Sequence, residues 1–413
     1  MAIVRPFCAI RPEPTLASKV ISLPYDVMNR SEATEMASGN PFSFLHICRS
    51  EIDLPAQQNQ YDDTVYQKAK QNLERFIQEG VLIQDTVPTL YIYRQHMGGN
   101  TQTGIVGCVS IDEYINNVIK KHEHTREEKE LDRIQHFDVC NANTEPVFLT
   151  MRANDELDRL MNGYTEGTNP EFSITTSDDV THIFWVVSDI AVRDRIVEIF
   201  KSVPALYIAD GHHRSASACK VGLKRRKTHP EYSGEEEFNY FMAVIFQDKD
   251  LHIYDYNRVV RDLNGLTSQQ FIQAVKEAGF VVDPISDDNF KPQSKHTFGM
   301  YLDGTWYELT AQKDILSDDP IEGLDVSILQ THLLEPILGI ENPRTDKRID
   351  FVGGIRGISE LERRCSMDMK VAFALYPVTI ADLLTVADND MVMPPKSTWF
   401  EPKLGSGLFV HRL

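Results

Sequence analysis

Between Ala205 and Val221 the chain reads ALYIADGHHRSASACKV: a continuous apolar run that stops at Asp210, a single glycine, and then a segment with helical spacing. One residue, Gly211, therefore has to turn an extended chain into a helix. Glycine does this because it enters the left-handed region without steric cost. A strand that feeds directly into a helix belongs to folds in which strands and helices alternate, and the neighbouring sequence has that order: EPVFLTM, a helical DELDRLMNGY, the strand THIFWVVSD, the helix AVRDRIVEIFKSV and then ALYIAD. The class expected is mixed α/β.

Further elements follow from periodicity and turn chemistry. Near the N-terminus SKVISLPYDVM reads as a strand, SEATEMASG as a helix capped by Ser31, and PFSFLHIC as another strand. Residues 61–81 have helical periodicity, with Gly80 as the C-terminal stop. Gly98-Gly99-Asn100 joins two strands as a hairpin, and Asp303-Gly304 does the same inside HTFGMYLDGTWYEL. The Leu263-Asn264-Gly265 turn is the expected domain boundary, giving residues 1–262 as an α/β domain with the Asp210–Arg214 turn and residues 263–413 as a second α/β domain completing the cleft. No internal repeat points to a solenoid.

Composition narrows the function. A formal charge of -19 repels a polyanion, so nucleic acid is not an expected partner and any nucleotide needs a local basic site. The six cysteines are scattered without a C-x-x-C pair and read as reduced thiols. Arg5, Pro6, Arg11 and Pro12 interrupt the apolar N-terminus, and no apolar run has membrane-spanning length. The expectation is a cytoplasmic protein with no membrane partner, as a monomer or homo-oligomer, acting on small molecules.

At the strand-to-helix turn the first helical N–H groups point outward unpaired, and with the helix dipole they favour an anion. Gly211 lets a ligand approach the backbone, Arg214 is placed for a bidentate phosphate contact, His212 and His213 for hydrogen bonds or proton transfer, and Ser215 for a cap or a contact with the same anion. The plainer reading makes Asp210 an N-cap and the histidines surface residues. A second cluster, Lys121-His122-Glu123-His124-Thr125, precedes Lys129, Asp132, Arg133 and His136, which share a face if the segment from Thr125 is helical. That face offers basic phosphate contacts in Lys129 and Arg133 and a magnesium carboxylate in Asp132 beside Asp210. The alternative is a solvated helix laced with ion pairs. Glu123, in the loop, is the better candidate for a catalytic acid or base. The histidine spacing matches no usual zinc signature. Asp26 in Pro24-Tyr25-Asp26 aims at the cleft or caps a turn. Gly353-Gly354-Ile355-Arg356-Gly357 is Gly-rich but is neither a Walker sequence nor G-x-G-x-x-G, and the tail lysines Lys396 and Lys403 either close over an anion or seal the core.

The segments PYDVMNRSEA, KHEHT with its following LDR, EPVFL, YIADGHHRSASA and PPKSTWFEPKLGSGL, in that order, resemble the DUF1015 family over nearly the whole chain. The strand-Asp-Gly-His-His-Arg-helix segment is also similar to the phosphate box of the ParB/sulfiredoxin-like superfamily, which includes free-serine kinases. That resemblance implies a ParB/sulfiredoxin-like nucleotide-binding core with an additional C-terminal α/β domain. Gly211, His212, His213 and Arg214 would hold phosphate and Asp210 would sit beside the reacting hydroxyl or the metal, with Glu123 first and Asp26 second as the base. The expected activity is phosphoryl transfer from ATP, ADP or pyrophosphate, with Mg²⁺, to a small hydroxyl compound such as L-serine. The rivals are a nucleotide-binding regulatory protein without turnover and a metal-dependent hydrolase.

Overall fold

The computed structural model describes residues 1–285 and 290–413, and the class is mixed α/β, as expected. Two compact units are present: Met1–Leu251 together with Pro402–Leu413, and His252–Glu401. A boundary at 262 thus gives way to one at Leu251, and the last residues of the chain return to the first unit.

The first unit is built on a nine-stranded sheet in the order Ile119–Lys120, Leu206–Asp210, Val147–Met151, Tyr240–Gln247, Asn100–Ser110, Tyr91–Met97, Thr181–Val186 and Phe172–Thr175, with Val4–Arg5 also pairing Asn100–Ser110. Pairings are mixed: Leu206–Asp210 runs parallel to Ile119–Lys120 and antiparallel to Val147–Met151. Helices Asp155–Gly167, Ile190–Phe200 and His212–Thr228 bury Leu157, Ile199 and Cys219 in one cluster with Ile208, Leu149 and Phe241 of the strands. The sheet is anchored by apolar burial on the face these helices cover.

Both hairpins form at the expected dipeptides. Met97 pairs with Asn100 across Gly98-Gly99, and Leu302 with Thr305 across Asp303-Gly304. All four turn residues have positive φ, as a two-residue turn matching the strand twist requires. The helix expected over 61–81 runs Asp63–Gln78, with Gly80 at φ +71° beyond its end.

The N-terminal strands do not form. SKVISLPYDVM contributes the short helix Ala17–Val20 and a loop, and PFSFLHIC folds as the helix Leu45–Cys48. Phe44, Leu45, Ile47 and Cys48 are buried against Leu73 and Phe76 of helix Asp63–Gln78, and an apolar run this short carries no period that separates strand from buried helix. Asn29, not Ser31, caps helix Arg30–Ala37, through a capping box with Glu32.

The second unit contains a six-stranded antiparallel sheet ordered Phe280–Ile285, Thr305–Ala311, Thr297–Leu302, Val371–Leu375, Tyr256–Val260 and Ile349–Gly353. Its Gly-rich turn is a packing device. A Cβ on Gly353 would stand 2.9 Å from the Trp399 ring, and the Gly354 N–H donates to the Asp255 carbonyl at 2.7 Å. Lys396, also in this unit, stands over the Tyr256 ring at 5.4 Å.

Candidate functional site

Strand Leu206–Asp210 ends at the turn and helix His212–Thr228 begins one residue later, with Gly211 at φ +95° in the N-cap position and no side chain capping the first turn. Asp210 is therefore not an N-cap. Its carboxylate accepts from Arg214 Nη2 at 2.7 Å and has Lys403 Nζ 3.8 Å away. Burial alone would raise the Asp210 pKa, but Lys403 and Arg214 outweigh it and hold the group at about 2, so the turn presents an ionised, one-third exposed carboxylate.

Arg214 is folded inward, with a side chain only 1% exposed. Besides Asp210 it donates to the Pro146 carbonyl, and its Nε lies 3.0 Å from where a Cβ on Gly211 would sit. Two constraints thus require glycine at 211: the positive φ and the guanidinium folded across it. Ser215 is also turned inward, its hydroxyl donating to the Gly211 and His212 carbonyls. Arg214 and Ser215 therefore shape the turn from behind instead of presenting polar atoms to solvent.

The loop after Ile119–Lys120 lies across the first turn of the helix. The His122 N–H donates to His212 Nε2 at 3.5 Å, the His122 and His212 rings meet edge to face at 4.5 Å, and the Arg126 N–H donates to His213 Nε2 at 3.0 Å. With both Nε2 atoms accepting, the proton of each neutral imidazole resides on Nδ1, and His212 Nδ1 faces Glu123 Oε2 at 3.9 Å. Glu123 and the turn therefore stand together, a relation linear spacing does not reveal.

Both rings are neutral around pH 7. Desolvation drives His212 well below its ordinary range, with His122 adding to the effect, and desolvation also lowers His213. His122, fully buried, falls to about 4 for the same reason. The imidazoles offer N–H donors rather than cationic charge. In an NMR titration the His122 ring is expected to keep neutral-form shifts down to about pH 5 and to change only near 4; a midpoint near 6.5 would place it in solvent.

Asp26 is exposed and close enough to favour the charged forms of His213 and Arg214 electrostatically. Lys129, half-buried, acts on His213 in the opposite sense. The rest of the second cluster lies differently from expectation. Helix Glu127–Cys140 does bring Lys129, Asp132, Arg133 and His136 to one face, but that face packs on Tyr25, Cys48, Glu51 and Tyr66. Arg133 is 5% exposed, donates to Asp132 at 2.9 Å and stacks 3.9 Å over the Tyr25 ring. Asp132 accepts from Tyr66 at 3.1 Å as well. These groups neutralise one another inside the fold, which leaves Arg133 little charge for a phosphate and Asp132 little for a cation. His136 is buried, bonded at Nε2 to the Ile47 carbonyl at 3.0 Å, and desolvation lowers it to about 3.

Sequence reasoning passed over Glu145. It is fully buried and accepts from the Tyr25 N–H at 3.1 Å and the Ser406 hydroxyl at 2.8 Å, with Arg133 3.6 Å from its other oxygen. Burial raises its pKa, against the pull of Arg214 and Arg133. This one carboxylate ties the Asp26 loop, helix Glu127–Cys140 and the C-terminal tail together behind the turn. Its signal in sequence is an acidic residue before Pro146 at the head of a strand, inside the EPVFL segment.

Residues 4–327 match the family described as a protein of unknown function, DUF1015. The chain belongs to that family. No curated protein matches it. Among solved structures, similar chains include a free serine kinase in complex with AMP (12% identity, TM-score 0.36, covering 73% of this chain and 92% of that one). A conserved hypothetical protein from Pyrococcus furiosus gives 13% identity, TM-score 0.37, and coverage of 74% and 95%. SbnI with a C-terminal truncation, from Staphylococcus aureus, gives 10%, 0.38, 74% and 87%. In this DUF1015 protein no helix among the described residues is long and apolar enough to cross a membrane. Among the same residues no three His, Cys, Asp or Glu side chains converge as metal donors.

For magnesium, which needs only one or two carboxylates beside phosphate oxygens, Asp210 fits, being ionised and partly exposed, whereas Asp132 is engaged by Arg133 and Tyr66.

Proposed function

We propose that this protein is a phosphotransferase that moves a phosphoryl group from a nucleotide or another phosphoanhydride to a small hydroxyl compound, with free L-serine the leading acceptor. The observation that carries the reading is the approach of Glu123 to His212 at 3.9 Å, directly over an uncapped helix start that also presents ionised Asp210. Phosphoryl transfer asks chiefly for positioning and charge stabilisation, plus a group to orient and deprotonate the attacking hydroxyl.

The first-turn N–H groups and the Nδ1–H donors of His212 and His213 hold donor phosphate oxygens. Asp210 would hold Mg²⁺, which would supply neutralisation of the charge on those oxygens. Glu123 accepts the proton of the acceptor hydroxyl as its oxygen bonds to phosphorus and the bridging P–O bond of the donor breaks, releasing ADP from ATP, AMP from ADP or phosphate from pyrophosphate. Asp26 is the second candidate for that proton. Arg214 positions Asp210 and the turn.

Incubation of purified protein with L-serine, Mg²⁺ and ATP, ADP or pyrophosphate in turn is expected to give phosphoserine with one of the three donors. Tight donor binding without phosphoserine and without donor loss would move the protein to the regulatory class. Neither binding nor consumption of any donor would overturn the phosphate reading altogether.

A further inference from the structure

Beside the turn, within the first unit, is a cavity of about 300 Å³ lined in part by Lys403, Leu404 and Gly405 of the C-terminal tail. It shares one wall with the site. Lys403 lines it, and the Lys403 ammonium is 3.8 Å from the Asp210 carboxylate. The side chain is 12% exposed, and Gln95 Nε2 fixes its backbone by donating to the Lys403 carbonyl at 2.8 Å.

The floor is rigid. His182 is engaged on both nitrogens, by the Tyr93 hydroxyl at 2.6 Å and the Thr176 hydroxyl at 3.3 Å, and it stacks on the Tyr93 ring. The Gly405 N–H donates to the same Tyr93 hydroxyl at 3.2 Å, locking the tail to the floor. Desolvation holds His182 neutral, at about 4. This pocket is formed before any ligand arrives, as small-molecule sites commonly are.

We infer that this cavity receives the nucleoside of a nucleotide donor, with Lys403 joining it to the phosphate turn; the inference rests on the phosphotransferase reading above. Three properties of the lining point to a nucleoside. Ile21, Met36, Leu45 and Ile174 offer apolar surface for a flat ring, and the lining adds the hydroxyls of Ser22, Ser43 and Thr175, which bond to the Leu23 carbonyl, the Leu45 N–H and the Thr181 hydroxyl and keep further hydrogen-bonding capacity for a base edge or ribose. The volume is at the small end of the range for drug-sized ligands, about 300 Å³ upward, and exceeds what a three-carbon amino acid fills. Lys403, the cation among the lining residues, stands 3.8 Å from Asp210, so a nucleotide phosphate leaving the pocket beside it would meet the turn. Lys403 exchanges its ion pair with Asp210 for that phosphate, which leaves Asp210 to a cation.

The test is calorimetric titration of ADP, ATP and pyrophosphate into the wild type and into Met36→Trp and Ser177→Trp. Both positions are exposed rim residues whose enlargement fills the cavity without touching its floor. Thermal melts matching wild type verify folding. Expected is a rise of about tenfold or more in the ADP and ATP Kd in both variants, with pyrophosphate affinity held within about twofold. ADP binding that is equal in wild type and both variants overturns the cavity assignment and leaves the phosphate turn standing. A wild type that binds none of the three ligands overturns both.

Discussion

Replacing Arg214 by alanine is expected to cost about 3–5 kcal/mol of folding stability and, with it, donor binding. Removing one partner of a buried ion pair leaves an uncompensated charge, and this pair is almost fully enclosed on the arginine side. The truncation strips Asp210 of its 2.7 Å donor, leaves the Pro146 carbonyl without that partner, and weakens the attraction that offsets the burial of Glu145. With Arg214 gone, Lys403 at 3.8 Å is the main cation left to hold Asp210 ionised, so the carboxylate pKa moves up. Lysine at 214 keeps the charge but lacks the fork that reaches Asp210 and the Pro146 carbonyl together, and it should recover only part of the loss. Urea denaturation of the wild type, Arg214→Ala and Arg214→Lys, alongside ADP titration, separates the roles. Loss of binding at unchanged stability would mean that the guanidinium contacts phosphate directly and is not the inward brace described here.

Arg214 also marks where the sequence was legible and where it was not. The turn itself could be read because positive φ leaves a chemical trace: Gly211, Gly98-Gly99 and Asp303-Gly304 are residues that enter that region cheaply, and each sits where the structure needs it. The sense in which Arg214 points leaves no such trace, since the same arginine serves a phosphate outside or an aspartate inside. Neighbours distant in sequence decide it, here Pro146 and Glu145. Lys129, Asp132, Arg133 and His136 illustrate the same limit. Their helical spacing puts them on one face, yet whether that face meets solvent or Tyr25 and Tyr66 depends on how the N-terminal segments pack, which their sequence does not show. PFSFLHIC is apolar enough for a strand and too short to show a helical period, so its burial against helix Asp63–Gln78 was settled by tertiary packing. The protonation of His212 and His213 is likewise a property of the fold: two adjacent histidines suggest hydrogen bonding or proton transfer without saying which form is present, and it is the loop from His122 to Arg126 that packs over them and fixes their tautomers.

The neutral histidines increase the demand on Glu123, and Glu123→Gln is expected to lower kcat by about 10²–10⁴-fold, the usual contribution of a positioned general base. Glutamine keeps the length and hydrogen-bonding shape but does not take up a proton at neutral pH. The Glu123 side chain is 39% exposed, so the substitution should change stability by no more than about 0.5 kcal/mol. The KM for the donor should stay near wild type, because the proposed donor contacts are the first turn, the His212 and His213 N–H groups and the Lys403 side of the site, none of which the change removes. Asp26→Asn is the necessary comparison: Asp26 acts electrostatically on His213 and Arg214 and is the second candidate proposed for the base. If Asp26→Asn carries the kcat loss and Glu123→Gln does not, the base is Asp26, and Glu123 serves to orient the Nδ1–H of His212. If both variants transfer phosphate at the wild-type rate, neither Glu123 nor Asp26 deprotonates the acceptor, and the dense polar loop from Lys121 to Arg126 is there to shield His212 and His213 from water.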